Sequence, residues 1–153
     1  MTLQFCKTLI IAGALSLAIG STAWADSTPV GLWKSIDDHS GKPTALIRIS
    51  ESGDTLQGRI EKLFDQSADK SPLCAKCSGA RKDQPILGMT IIDGMRRADG
   101  RSDQYDQGTI IDPDNGVLYR SRMSLSPDGN HLHVRGYVGM PLFGRTQTWV
   151  RVP

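Results

Sequence analysis

From residue 30 onward no stretch holds apolar residues at helical spacing for three turns. Short runs rich in β-branched and aromatic residues instead alternate with clusters of Gly, Pro, Asn and Asp. The runs fall at 30–37, 44–50, 55–64, 86–93, 108–112, 117–126, 131–139 and 145–152. Strands in unbroken succession favour an antiparallel meander, and a meander of this length removes its unpaired edges by closing on itself. The expected fold is all-β, a single antiparallel up-and-down β-barrel of about eight strands. Internal repeats and low-complexity segments are absent.

The first 25 residues do not fit this pattern. Lys7 precedes the apolar run Leu9–Ile19, and Ala23-Trp24-Ala25 supplies small residues at a cleavage point. That order marks a signal peptide over 1–25, cut after Ala25, with 26–153 left as one domain. The run is shorter than the ~20 apolar residues that a spanning helix needs, so the chain is expected not to be membrane-spanning. Cys6 comes before the apolar run, whereas a lipoprotein cysteine follows it. The expected location is therefore periplasmic or secreted. Lys and Arg number 18 against 16 Asp and Glu, a net charge of +2, which leaves no electrostatic footprint for nucleic acid.

The C-terminal hairpins can be given a register. A two-residue turn at Asp128-Gly129 sets Leu125 opposite Leu132, Met123 opposite Val134 and Tyr119 opposite Val138 on one apolar face. The other face pairs Ser124 with His133 and Arg122 with Arg135, which only water can solvate. Lipid would reject those outward charges, so an outer-membrane barrel does not fit. A further turn at Met140–Phe143 sets Val138 opposite Arg145, Val134 opposite Trp149 and Leu132 opposite Arg151. The inward face then gains Arg145, Gln147, Trp149 and Arg151, unless a one-residue slip turns all four outward.

Strand alternation brings Trp33 and Arg151 together at a closed floor, and gathers the loops 38–43, 65–85, 113–116 and 140–144 at the mouth. Arg151 would stack on Trp33 and bond to backbone carbonyls. Arg145 lies near the mouth, where its guanidinium needs an acceptor. Either an anionic ligand headgroup or a loop carboxylate would serve. The apolar segment Gly139–Gly144 either plugs the barrel or forms a lid or contact surface.

Cys74 and Cys77 remain after cleavage, inside a loop-like stretch. In an oxidising compartment a local disulfide is the default, and closing so short a ring is worth roughly 2 kcal/mol. The alternatives are a thiol–disulfide active site and capture of a metal by the two thiols, which needs further ligands. His39 is the histidine near the mouth. His131 and His133 share a strand face that the register sends to solvent. Asp112-Pro113-Asp114-Asn115-Gly116 is explained by turn chemistry better than by calcium, because Met123 stands where a closing Glu is required. Asp37, Asp38 and Asp93 are read as solvated turn residues. Catalytic motifs are missing, and neither a metal nor a cofactor is expected.

Two resemblances follow from these residues. Gly31-Leu32-Trp33 with the late Arg151 resembles the calycin, or lipocalin-like, pattern, in which a first-strand Trp packs against a late Arg at the closed end. The stretches Gly31–Asp38, Cys74–Cys77, Gly108–Pro113 with Gly116 and Tyr119, Val134–Gly139 and Phe143–Arg151 together resemble the bacterial exported family known as domain of unknown function 2147. That resemblance implies a compartment and a fold, and no activity. The expected function is non-catalytic binding of a small amphipathic or apolar ligand by a monomer. The ligand-binding residues would be Tyr119, Met123, Val138, Arg145, Gln147 and Trp149. The alternatives are a filled barrel that docks an envelope protein, and a thiol- or metal-handling protein built on Cys74 and Cys77.

Overall fold

The computed structural model describes residues 28–64 and 72–153, so the expected signal peptide over 1–25 lies outside the described residues. Eight strands form a closed barrel in chain order. They are β1 (Gly31–Ile36), β2 (Pro43–Ser52), β3 (Thr55–Leu63), β4 (Thr90–Arg97), β5 (Gln104–Asp112), β6 (Val117–Leu125), β7 (His131–Tyr137) and β8 (Arg145–Val152). Every strand pairs antiparallel with its sequence neighbour, and β8 returns to β1 with Trp33 opposite Arg151.

Alternation along the strands fills the interior. Ile47 and Ile49 on β2, Ile92 and Met95 on β4, Met123 on β6 and Leu132 on β7 are all buried. Each such side chain removed from water contributes about 1.5–3 kcal/mol, which makes the packed interior the main source of stability.

Closure at the floor depends on one cation. The Arg151 guanidinium stacks 4.3 Å from the centre of the Trp33 ring. Its Nε donates to the Gly129 carbonyl at 2.7 Å, Nη1 to Val30 at 3.0 Å and Nη2 to Thr28 at 2.6 Å. The Trp33 indole N–H donates to the Pro29 carbonyl at 2.7 Å. One guanidinium thereby ties the chain entering β1 to the β6–β7 turn and to the last strand. Gly31 is glycine because its φ is +139° and a Cβ there would lie 2.8 Å from Arg151 Nη1.

Three sequence expectations change. The fourth strand begins at Thr90, not 86, because Pro85 makes only an isolated bridge to Leu73 and the chain turns at Gly88. The fifth begins at Gln104, four residues early, in a polar stretch without alternation. A bulge there places Asp106 and Gln107 opposite Arg122 alone, with Gln107 at φ +64°.

The third change is in the last hairpin. β7 ends at Tyr137, and Leu132, not Val134, faces Trp149, a slip of two residues. An even slip preserves the face, so Gln147 and Trp149 still point inward while Val138 leaves the strand and is 65% exposed. The loop does not plug the barrel either. Arg135 holds the carbonyls of Pro141 at 2.7 Å and Leu142 at 3.2 Å, bending the loop back along the outer wall.

Replacing Trp33 with Ala should cost about 3–5 kcal/mol in urea unfolding, by loss of a large buried ring and of the platform under Arg151. A loss below 1 kcal/mol would show that the barrel closes without this contact.

Candidate functional site

The interior changes character towards the open end. Above Trp149, which is 1% exposed, the inward positions are Gln147 on β8, Gly136 on β7, Tyr119 on β6 and Ile110 on β5, all partly exposed. We call this set of inward, partly exposed positions above Trp149 the cup. The Trp149 indole N–H donates to Gln147 Oε1 at 3.3 Å, which orients the amide. Below the rim Ser121 is fully buried on β6, and its hydroxyl has no hydrogen-bond partner among the described residues.

The rim is built by two loops and the start of β8. Asp37 organises the β1–β2 loop by accepting from the Ser40 amide at 2.7 Å, the Ser40 hydroxyl at 2.8 Å and the His39 amide at 3.2 Å. Those hydrogen bonds, Ser40's foremost, hold the Asp37 carboxyl below its usual range. Asp112 organises the β5–β6 turn by accepting from the Asp114 amide and the Asn115 side chain. Asn115 in turn donates to the Tyr119 hydroxyl at 3.0 Å, linking the turn to the cup.

Arg145, at the start of β8, bonds to the first of these loops. Its Nε donates to Asp38 Oδ2 at 2.9 Å and its Nη2 to Asp38 Oδ1, with Asp37 at 4.0 Å. Between the two acceptors open in the sequence, the loop carboxylate is the one the structure supplies. The hydrogen bond from Arg145 holds the Asp38 carboxyl down to about 2. Asp37 and Asp112 add to the negative potential around the same guanidinium. Around Arg145 itself three carboxylates stand to one guanidinium, so this part of the rim is acidic, with Lys42 farther along the same loop.

Asp37, Asp38 and His39 place ligand atoms within 4.8 Å of one another, as a cation site would. The Arg145 guanidinium already supplies that positive charge, lying 3.3 Å from His39 Nδ1. A metal ion would have to displace it.

The remaining sequence candidates separate. Tyr119, Gln147 and Trp149 surround the cup, Met123 is buried beneath it, Arg145 stands on the rim and Val138 faces outward. Trp33 and Arg151 are at the opposite end. His131 and His133 lie exposed on the outer wall, where His133 meets the Thr148 hydroxyl at 3.0 Å. The sulfurs of Cys74 and Cys77 are at bonding distance, their Cα atoms 5.3 Å apart, and both residues are buried. Cys74 Sγ also contacts the Pro113 carbonyl at 3.4 Å, and a Cβ on Gly116 would collide with the Lys76 carbonyl. The loop is thus stapled beside the β5–β6 turn, with its sulfurs shielded from the exposure that redox exchange requires.

Because Asp38 titrates below its ordinary 3.8, its pairing with Arg145 contributes fully above that value and is lost as pH falls through about 2. In an NMR titration Arg145→Ala should move the Asp38 midpoint up towards 3.8. An unmoved midpoint would mean that the pair does not form in solution. Changing both Cys74 and Cys77 to Ala should cost about 2 kcal/mol or somewhat more, with faster amide exchange confined to the loop before β4 and the β5–β6 turn. Exchange spreading over all eight strands would show that the staple holds the whole barrel.

Comparison with known proteins agrees with this architecture. The structure of protein HP1028 from the human pathogen Helicobacter pylori, described as belonging to the lipocalin family, matches with a TM-score of 0.69 at 16% identity. The match covers 81% of this chain and 82% of that one, and it extends to the fold alone. No curated protein matches. The model of a family described as uncharacterized proteins conserved in bacteria matches residues 31–151, and the chain therefore belongs to that family, DUF2147, with a lipocalin-like barrel.

Proposed function

We infer that this protein is an exported, non-catalytic barrel whose open end binds a small amphipathic ligand. The observation that carries the reading is the polarity gradient inside one cylinder. An apolar floor is sealed by Trp33 and Arg151, while partly exposed inward groups, Ile110, Tyr119 and Gln147, stand above Trp149. Small eight-stranded barrels either fill completely or hold one ligand, and inward polar groups reached by water favour the second. The apolar part of the ligand would rest on Ile110 and Trp149, and its polar part would meet Tyr119 and Gln147. Because acidic groups outnumber Arg145 at the rim, the polar end suits a neutral or cationic group better than an anion.

A second reading rests on a different observation. Val138, Met140, Leu142 and Phe143 are 61–77% exposed on the β7–β8 loop. Apolar side chains grouped on one loop are a contact surface for a protein in the cell envelope.

Native mass spectrometry of protein purified from the periplasm distinguishes the two. A co-purifying small molecule that is lost in Gln147→Leu supports the ligand-binding reading. A persistently ligand-free barrel that retains a protein partner, and loses it when Leu142 and Phe143 become Ser, supports the second. With defined probes, dodecyltrimethylammonium should bind at least about tenfold more tightly than dodecanoate, since one favourable charge contact against a repulsive one is worth about 1.4 kcal/mol or more. Equal affinities would remove the acidic rim from recognition.

A further inference from the structure

A second concavity lies on the outside of the barrel wall, across the sheet from the cup. It encloses about 570 Å³ over β5, β6 and β7. Asp106, Gln107, Arg122, His133 and Arg135 line it. Its shape follows from the β5 bulge, which sets Asp106 and Gln107 against Arg122 alone and holds Gln107 at φ +64°. A non-glycine residue in that conformation is uncommon and strained, and bulges gather beside binding sites.

The charges in the groove are placed against local stability. Arg122 and Arg135 are directly opposite one another on adjacent strands. Like charges so placed repel. Neither forms an ion pair among the described residues. Arg122 instead lies 6.0 Å from the centre of the Tyr137 ring. Arg135 spends three donors on the carbonyls of Pro141 and Leu142 and on the Thr146 hydroxyl, all neutral, so its charge is not offset. On the neighbouring strand Asp106 stands opposite Arg96 without forming an ion pair among the described residues, and it has the reverse need, because its Oδ1 is buried and accepts no hydrogen bond there. An unpaired guanidinium pair and an under-bonded carboxylate therefore share one groove, one to two strand spacings apart, roughly 5–10 Å.

We propose that this groove binds a small zwitterion, with its oxyanion held by Arg122 and the remaining donors of Arg135, and its ammonium group by Asp106. A lone anion would relieve the arginines but repel Asp106, and a lone cation would do the opposite. A molecule carrying both groups a few ångströms apart satisfies the pair and the carboxylate together. Phosphoethanolamine, a lipid headgroup, and glycylglycine, a short peptide, share this chemistry. The site is independent of the cup and does not rest on its occupancy.

The test is an NMR titration of the ¹⁵N-labelled protein with four probes: phosphoethanolamine, glycylglycine, inorganic phosphate and ethylamine. Shifts should centre on the amides of Gln104–Gln107, Arg122–Ser124 and His133–Arg135. At least one zwitterion should bind about tenfold or more tightly than phosphate or ethylamine, and the stronger of the two identifies the ligand's source. Arg122→Gln should weaken zwitterion binding about tenfold with no fall in melting temperature, since Arg122 is exposed and repels Arg135. Asp106→Asn should abolish the advantage of the zwitterion over phosphate while leaving phosphate binding intact. Gln147→Leu should change none of these values, which separates this site from the cup. Equal affinity for phosphate and both zwitterions would overturn the proposal in favour of a simple counterion site, and shifts elsewhere would overturn the groove itself.

Discussion

The contact between Arg151 and Trp33 caps the floor of the cylinder that the β1–β8 pairing closes. A meander of eight strands has two edges, and here the edges are β1 and β8. Their hydrogen bonds alone would leave the floor open to water. The guanidinium closes it by stacking on the indole and donating to three backbone carbonyls, of the entry segment and of the β6–β7 turn. Burial lowers the pKa of Arg151, yet guanidinium stays charged far above neutral pH, so the cost of desolvation is offset by hydrogen bonds, not avoided by deprotonation.

With one end sealed, the barrel is asymmetric. The open end on the β5–β8 side is free to carry polar groups that would be costly in a closed core. Asp38, Arg145, Asn115 and Tyr119 occupy that freedom, each held by a neighbour. Preorganised polar groups above an apolar base are what a small-molecule site requires. The disulfide loop contributes by bracing the β5–β6 turn from outside, so the turn that positions Asn115 does not depend on the turn sequence alone.

Much of this was legible in the sequence where periodicity was strong. Leu125, Met123 and Arg122 sit opposite Leu132, Val134 and Arg135 as the Asp128-Gly129 turn requires. The inward face of β8 survived a two-residue error in register because side-chain direction depends only on parity. What was not legible depends on contacts distant in the chain. The Arg145 partner lies 107 residues away in a loop whose carboxylates look like ordinary solvated turns. The start of β5 is hidden because Asp103-Gln104-Tyr105-Asp106-Gln107 carries no alternation, and the bulge that creates the outer groove is hidden with it. Ile86 imitates a strand start because its apolar side chain serves loop packing instead, while Leu87 beside it is exposed.

The central claim, that ligand enters a cup based on Trp149 and stops above a sealed floor, has a direct spectroscopic test. The indole N–H signals of Trp149 and Trp33 report the two ends of the same cylinder. On titration with dodecyltrimethylammonium the Trp149 signal should shift and saturate while that of Trp33 stays in place. A stationary Trp149 signal, or equal shifts at both indoles, would contradict the account.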